Sequence, residues 1–250
     1  MPRFVTVFVC LAVTLVACDR APAEGGTPSS GSPGSPVPMS SPGAMPTSPA
    51  PAADPVFLGG VSRIGPKLRE VLTGRNWTPG CPVPLEDLRL VRVSHWNFEG
   101  EVAQGPLVLH ERVASDLLWV FKRLFRAKFP IQEIKLAAKD RPMTPEDYWD
   151  RTRRSVTASF NCRPATGSTT LSQHSYGWAI DINPLQNPYV RNDGTVLRHI
   201  AKPFRNRLLQ RKGMIHDGDT VVRSFARIGW EWGGDWHTLK DYMHFSLTGR

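Results

Sequence analysis

Two short segments constrain this chain more than any other part of it: Ser172-Gln173-His174-Ser175-Tyr176-Gly177-Trp178-Ala179-Ile180-Asp181, and Asp241-Tyr242-Met243-His244-Phe245 about sixty residues later. Trp178 to Ile182 reads as a short strand, in which alternation sends Ile180 and Ile182 to one face and Ala179 and Asp181 to the other. The apolar side chains then enter a core while the carboxylate looks into a cleft. Gly177 permits a turn that folds His174 back toward Asp181. In the second segment Met243 and Phe245 are expected on the core side, leaving His244 on the other.

If the two segments pair as neighbouring strands, two imidazoles and one carboxylate meet. That is the donor set of a catalytic zinc site, which takes three protein ligands and leaves a fourth position to water, whose pKa falls to about 7. His174, Asp181 and His244 are the expected ligands. Asp241 is a spare carboxylate close to His244 in sequence and is the expected general base. Glu231 and Asp235, which flank Trp232-Gly233-Gly234, are its rivals. His95, His110, His199, His216 and His237 have no ligand partner at such spacing and are expected at the surface or in packing, with His237 nearest the site in sequence.

These residues resemble the zinc D-alanyl-D-alanine carboxypeptidases and L-alanyl-D-glutamate endopeptidases, a VanY-like family that shares its fold with the hedgehog signalling domain. The likeness rests on Ser172, His174 and Asp181, on the pair Asp241 and His244, on Phe160-Asn161-Cys162-Arg163 upstream, and on Gly229-Trp230-Glu231-Trp232-Gly233-Gly234-Asp235-Trp236 downstream. It extends roughly from Val56 to the C-terminus. It implies that Arg163 supports the carbonyl oxygen during attack. Ser172 is expected to orient substrate or a ligand, with a purely structural role as the alternative.

The start of the chain bears on where it works. Arg3 precedes an apolar run from Phe4 to Ala17, too short to span a bilayer and suited to a secretory signal peptide over residues 1–17. Leu15-Val16-Ala17-Cys18 resembles a bacterial lipobox, so Cys18 is expected to carry lipid and to hold the protein at a membrane of the cell envelope. From Cys18 to Pro55 the chain is rich in Pro, Ser and Gly with few bulky apolar residues, the composition of a disordered spacer reaching on the order of 30 Å. The remainder, residues 56–250, is long enough for one core.

Residues 1–55 hold two Arg and three acidic groups, so the chain's net +9 leaves +10 on the domain. A basic exported domain suits anionic wall polymers, while export and the absence of any nucleic-acid motif argue against nucleic acid. A monomer is expected. Cys10 falls in the signal and Cys18 in the lipobox. Cys81 and Cys162 remain, an even pair in an oxidising compartment, for which a disulfide is the simplest reading.

Val113, Leu117, Val120, Phe121, Leu124 and Phe125 recur at helical spacing within a helix predicted over Leu107 to Phe129, before Pro130. Leu88 to Val93 and Ile131 to Leu136 read as strands. Arg141 to Val156 is polar and is expected over the site entrance, with Thr144 capping a short helix and Pro145 at its first position. The expected architecture is α+β: helices on one side of a small, mainly antiparallel sheet, with the metal cleft on the other. The expected function is hydrolysis of peptidoglycan stem peptides by a zinc peptidase, foremost as a D-alanyl-D-alanine carboxypeptidase. The alternatives are an L-Ala-D-Glu endopeptidase, an amidase, or a non-catalytic wall-binding module that keeps the metal for structure.

Overall fold

The computed structural model describes residues 54–137 and 143–249. The expected signal peptide, Cys18, nearly all of the linker, and Arg141 with Pro142 lie outside the described residues. The first half of the domain contains β1 (Gly59–Arg63), α1 (Pro66–Leu72), β2 (Leu88–Trp96), β3 (Val102–His110), α2 (Glu111–Arg126), β4 (Glu133–Ile134), α3 (Pro145–Arg153) and β5 (Val156–Thr157). The second half adds β6 (Ala179–Asp181), β7 (Tyr189–Val190), α4 (Thr220–Ala226), β8 (Glu231–Trp232), β9 (Lys240–Asp241) and β10 (His244–Ser246).

The architecture is α+β with mostly antiparallel sheets. The sheet is divided: one three-stranded sheet runs β1-β2-β3, a second runs β6-β10-β8, and β4-β5 and β7-β9 form two-stranded pairs, of which only β4-β5 is parallel. Both larger sheets share one core. Val91 and Leu107 from the first, Leu117 and Phe121 from α2, Phe225 from α4, and Ile180 and Phe245 from the second belong to the same buried cluster.

Helix α2 begins at Glu111, four residues after the predicted start at Leu107. Leu107 to His110 instead complete β3, paired with β2 through Leu107 opposite Val91 and Leu109 opposite Arg89. A run such as Leu107-Val108-Leu109 satisfies the apolar demand of either element, and the ladder to β2 decides for strand. His110 then changes the direction of the chain, its Nδ1 accepting from the Arg112 amide at 3.1 Å and so capping one of the helix's unpaired donors. From there Val113, Leu117, Val120, Phe121 and Leu124 are buried along one stripe, as their spacing requires.

The predicted strand at Ile131 to Leu136 shortens to Glu133–Ile134. In α3 the Thr144 side chain accepts from the Asp147 amide while the Asp147 carboxylate accepts from the Thr144 amide, a reciprocal cap with Pro145 at the first helical position. Cys81 and Cys162 are joined by a disulfide, with Cα atoms 6.0 Å apart. The bond ties the loop after α1 to the segment that carries Arg163.

Candidate metal centre and its cleft

Strands β6 and β10 pair antiparallel with His244 opposite Asp181, Phe245 opposite Ile180 and Ser246 opposite Ala179. The register follows from the core. Ile180 and Phe245 are fully buried, and the Phe245 ring stacks on Phe225 with centroids 4.1 Å apart, so the neighbouring Asp181 and His244 turn the other way. Met243 does not join the core as expected. It precedes the paired segment and lines the cleft instead.

His174 comes in from a 3-10 turn, Gln173–Tyr176, that Gly177 ends with φ +70°. A Cβ at Gly177 would lie 2.6 Å from the His110 amide nitrogen, so this position needs both the left-handed backbone and the missing side chain. Ser172 caps the same turn, its Oγ accepting from the His174 amide at 3.3 Å. Its hydroxyl thus shapes the turn, and Ser172 is not among the residues lining the cavity.

His174 Nε2 lies 3.3 Å and His244 Nδ1 3.1 Å from the same Asp181 oxygen, Oδ1. One donor atom from each of the three residues falls within 4.8 Å of the others. The second nitrogen of His174, Nδ1, is 2.6 Å from the Ser159 carbonyl oxygen, which can only accept, so Nδ1 carries the proton and Nε2 presents a lone pair. Nε2 is buried and has no hydrogen-bond partner. A buried acceptor left without a donor, beside a carboxylate and a second imidazole, is what a divalent cation would satisfy. The residues fit zinc: neutral nitrogen donors and one anionic oxygen at tetrahedral number less one. Burial works to raise the Asp181 carboxyl, yet positive charge at the two imidazole positions, His174 foremost, outweighs it and holds the group well below the usual carboxylate range; a divalent cation held by neutral imidazoles would supply positive charge at the same place.

Asp241 faces the same cavity, which measures about 310 Å³. It is fixed from two sides, by β9 pairing with Tyr189 and by its amide donating to the Gly233 carbonyl at 2.9 Å. The approach is close: a Cβ on Gly233 would come 2.5 Å from the Asp241 carbonyl oxygen. Asp241 Oδ1 is buried without a hydrogen-bond partner, and burial, reinforced by the negative charge of Asp181, pushes the carboxyl up to about 7. The rivals Glu231 and Asp235 are exposed and line a different hollow, where His237 also lies.

Arg163 lines the cavity with its guanidinium 5.7 Å from the centre of the Tyr148 ring. Its backbone is gripped by Ser175, whose hydroxyl accepts from the Arg163 amide at 2.9 Å and donates to the Arg163 carbonyl at 2.8 Å. Ser175 is fully buried, and neither its role nor that of Tyr148 has a signal in the sequence beyond nearness to a motif. Met143, Tyr148, Arg151 and Thr152 bring α3 and its approach to the cavity wall, as expected for the polar segment after residue 141.

Residues 166–247 match the family model described as D-alanyl-D-alanine carboxypeptidase. This segment, about a third of the chain, is similar to that peptidase family. The match covers every strand of the β6-β10-β8 sheet and all three ligand candidates, together with Asp241, while Arg163 stands just before it. No curated protein and no solved structure matches the chain. The mutual geometry of His174, Asp181 and His244 stands on the fold itself.

Proposed function

We propose that the domain is a zinc-dependent peptidase of peptidoglycan stem peptides, acting foremost as a D-alanyl-D-alanine carboxypeptidase. The single observation that carries the reading is the orphaned, buried Nε2 of His174, facing Asp181 Oδ1 and close to His244 in a cavity that also holds Asp241. His174, Asp181 and His244 would hold the ion, which when bound supplies a Lewis acid for the carbonyl and lowers the pKa of water.

The remaining steps belong to the chain. Asp241 takes the proton of the attacking water as its oxygen bonds to the amide carbon, then delivers that proton to the nitrogen as the C–N bond breaks. A base near neutral pKa suits both transfers. Arg163 offers N–H donors to the oxygen on which negative charge develops, and loss of one such donor typically costs about 3 kcal/mol of transition-state stabilisation. Ser175 and the Tyr148 ring hold Arg163 in place for this.

We further infer export with lipid attached to Cys18, which would tether the domain at the membrane through the Pro- and Ser-rich segment and keep it near the wall. Labelling with a clickable fatty acid tests this: label on the wild type and none on Cys18→Ala is expected, and label that survives the substitution removes the anchor. For the activity, mass analysis of muropeptides incubated with purified protein should show loss of one terminal alanine, abolished by chelator. Release of a longer peptide would instead point to an endopeptidase or amidase, and unchanged muropeptides to a non-catalytic module.

A further inference from the structure

Three arginines line the cavity, Arg151, Arg163 and Arg198, against two carboxylates, Asp181 and Asp241. Two of the three are engaged by protein oxygens. Arg151 donates to the Leu136 and Lys135 carbonyls at 2.8 and 3.4 Å, and Arg163 donates to the Pro164 carbonyl at 2.9 Å. Arg198 differs. Its guanidinium lies 5.3 Å from the centre of the Trp149 ring, and among the described residues it has no side-chain hydrogen bond and no ion pair.

Its placement is nevertheless fixed. The Arg198 carbonyl accepts from the Ala201 amide at 2.8 Å at the start of the 3-10 turn His199–Phe204, and His199 packs on Trp149 with ring centroids 4.7 Å apart. Consecutive aromatics of α3 thus each carry one arginine of the cavity: Tyr148 under Arg163, Trp149 under Arg198. Aromatic contact orients a guanidinium while leaving its N–H edge free for a planar anion. Half-burial lowers the Arg198 pKa, with Tyr148 opposing, so the cation is partly desolvated and, among the described residues, no carboxylate is paired with it.

We propose that Arg198 is the cavity's receptor for a carboxylate of the substrate peptide that lies away from the amide being cut. The proposal rests on the peptidase reading above and extends it to substrate choice. The carboxylate has two possible sources: the C-terminus of the residue released, or a carboxylate carried on the other side of the scissile bond. A charge-assisted bidentate contact of this kind is worth about 30-fold in affinity or kcat/KM.

The test uses one acylated peptide ending in D-Ala-D-Ala that carries both carboxylates, and two analogues in which one or the other is a carboxamide. For the wild type, one amidation should lower kcat/KM about 30-fold, and its position names the source. Arg198→Gln should lose about the same factor on the parent and no longer distinguish parent from that analogue, while Arg198→Lys should recover part of the discrimination. The proposal is overturned if neither amidation matters to the wild type, or if Arg198→Gln leaves the parent unchanged or slows all three peptides equally. Should the wild type cut none of them, the peptidase reading fails by itself. Titration calorimetry with the same three peptides then reads Arg198 separately: tighter binding of the parent than of one analogue, lost in Arg198→Gln, upholds the receptor, and equal affinities refute it.

Discussion

Single atoms carry the chemistry of this site. His174 is held by a bond from Nδ1 to a main-chain carbonyl, which sets the tautomer and leaves Nε2 as the lone-pair donor. Asp181 and Asp241 share one cavity but have opposite surroundings: positive charge at the imidazole positions lowers the first, whereas burial and the first's charge raise the second. Replacing Asp241 by Ala should therefore lower peptide turnover by at least about 100-fold, the usual scale of a general base, with metal content unchanged. Near-normal hydrolysis by that variant would remove Asp241 from the mechanism. A second prediction concerns His95, buried on β2, whose pKa is lowered to about 4, chiefly by burial. Its folded pKa lies below its unfolded value of 6.5, so the unfolded chain binds more protons as pH falls between the two. Stability from this group is complete above about pH 6.5 and is lost toward pH 4, up to about 3 kcal/mol. Urea melts across that window should show the fall in the wild type and a flatter profile in His95→Gln. Equal slopes would exclude His95 as the cause.

At the scale of elements, the site depends on where turns place short strands. Gly177 ends the turn bearing His174 under the main chain of β3, with φ +70° and no room for a Cβ. Gly177→Ala should destabilise the domain by at least about 1–2 kcal/mol for the left-handed backbone alone, and it should weaken metal binding, since His174 moves with the turn. An unchanged urea midpoint together with unchanged metal affinity would contradict this. The meeting of His174, Asp181 and His244 was legible in the sequence because each of its parts is local: a period-two pattern sends Ile180 inward and Asp181 outward, and a glycine follows His174 closely. The start of α2 was not legible, since Leu107-Val108-Leu109 suits strand and helix alike and only the ladder to β2 decides. Arg198 and Trp149 carried no signal either. They lie on separate elements, and a guanidinium resting on an indole leaves no periodicity or spacing to read.

Over the whole domain, one buried cluster joins the β1-β2-β3 sheet, α2, α4 and the β6-β10-β8 sheet, so the strands carrying Asp181 and His244 are backed by the main core. A second cluster of Leu72, Val83, Leu85, Leu88, Val108 and Phe160 packs beside the disulfide half Cys162. The cross-link closes a loop of 81 residues, which on the chain-entropy model stabilises the fold by about 4 kcal/mol. Replacing both Cys81 and Cys162 by Ser should lower the unfolding free energy by a few kcal/mol and reduce turnover through the loosened Arg163 segment. Stability and turnover equal to the wild type would show that the core alone fixes that segment.

The account as a whole stands on His174, Asp181 and His244 sharing one ion, and metal content measured by elemental mass spectrometry on dialysed protein tests this most directly. One equivalent of zinc per wild-type chain is predicted, with little or none in His244→Ala that remains folded. A wild type that retains no divalent metal after zinc loading, or a folded His244→Ala that keeps a full equivalent, would contradict it.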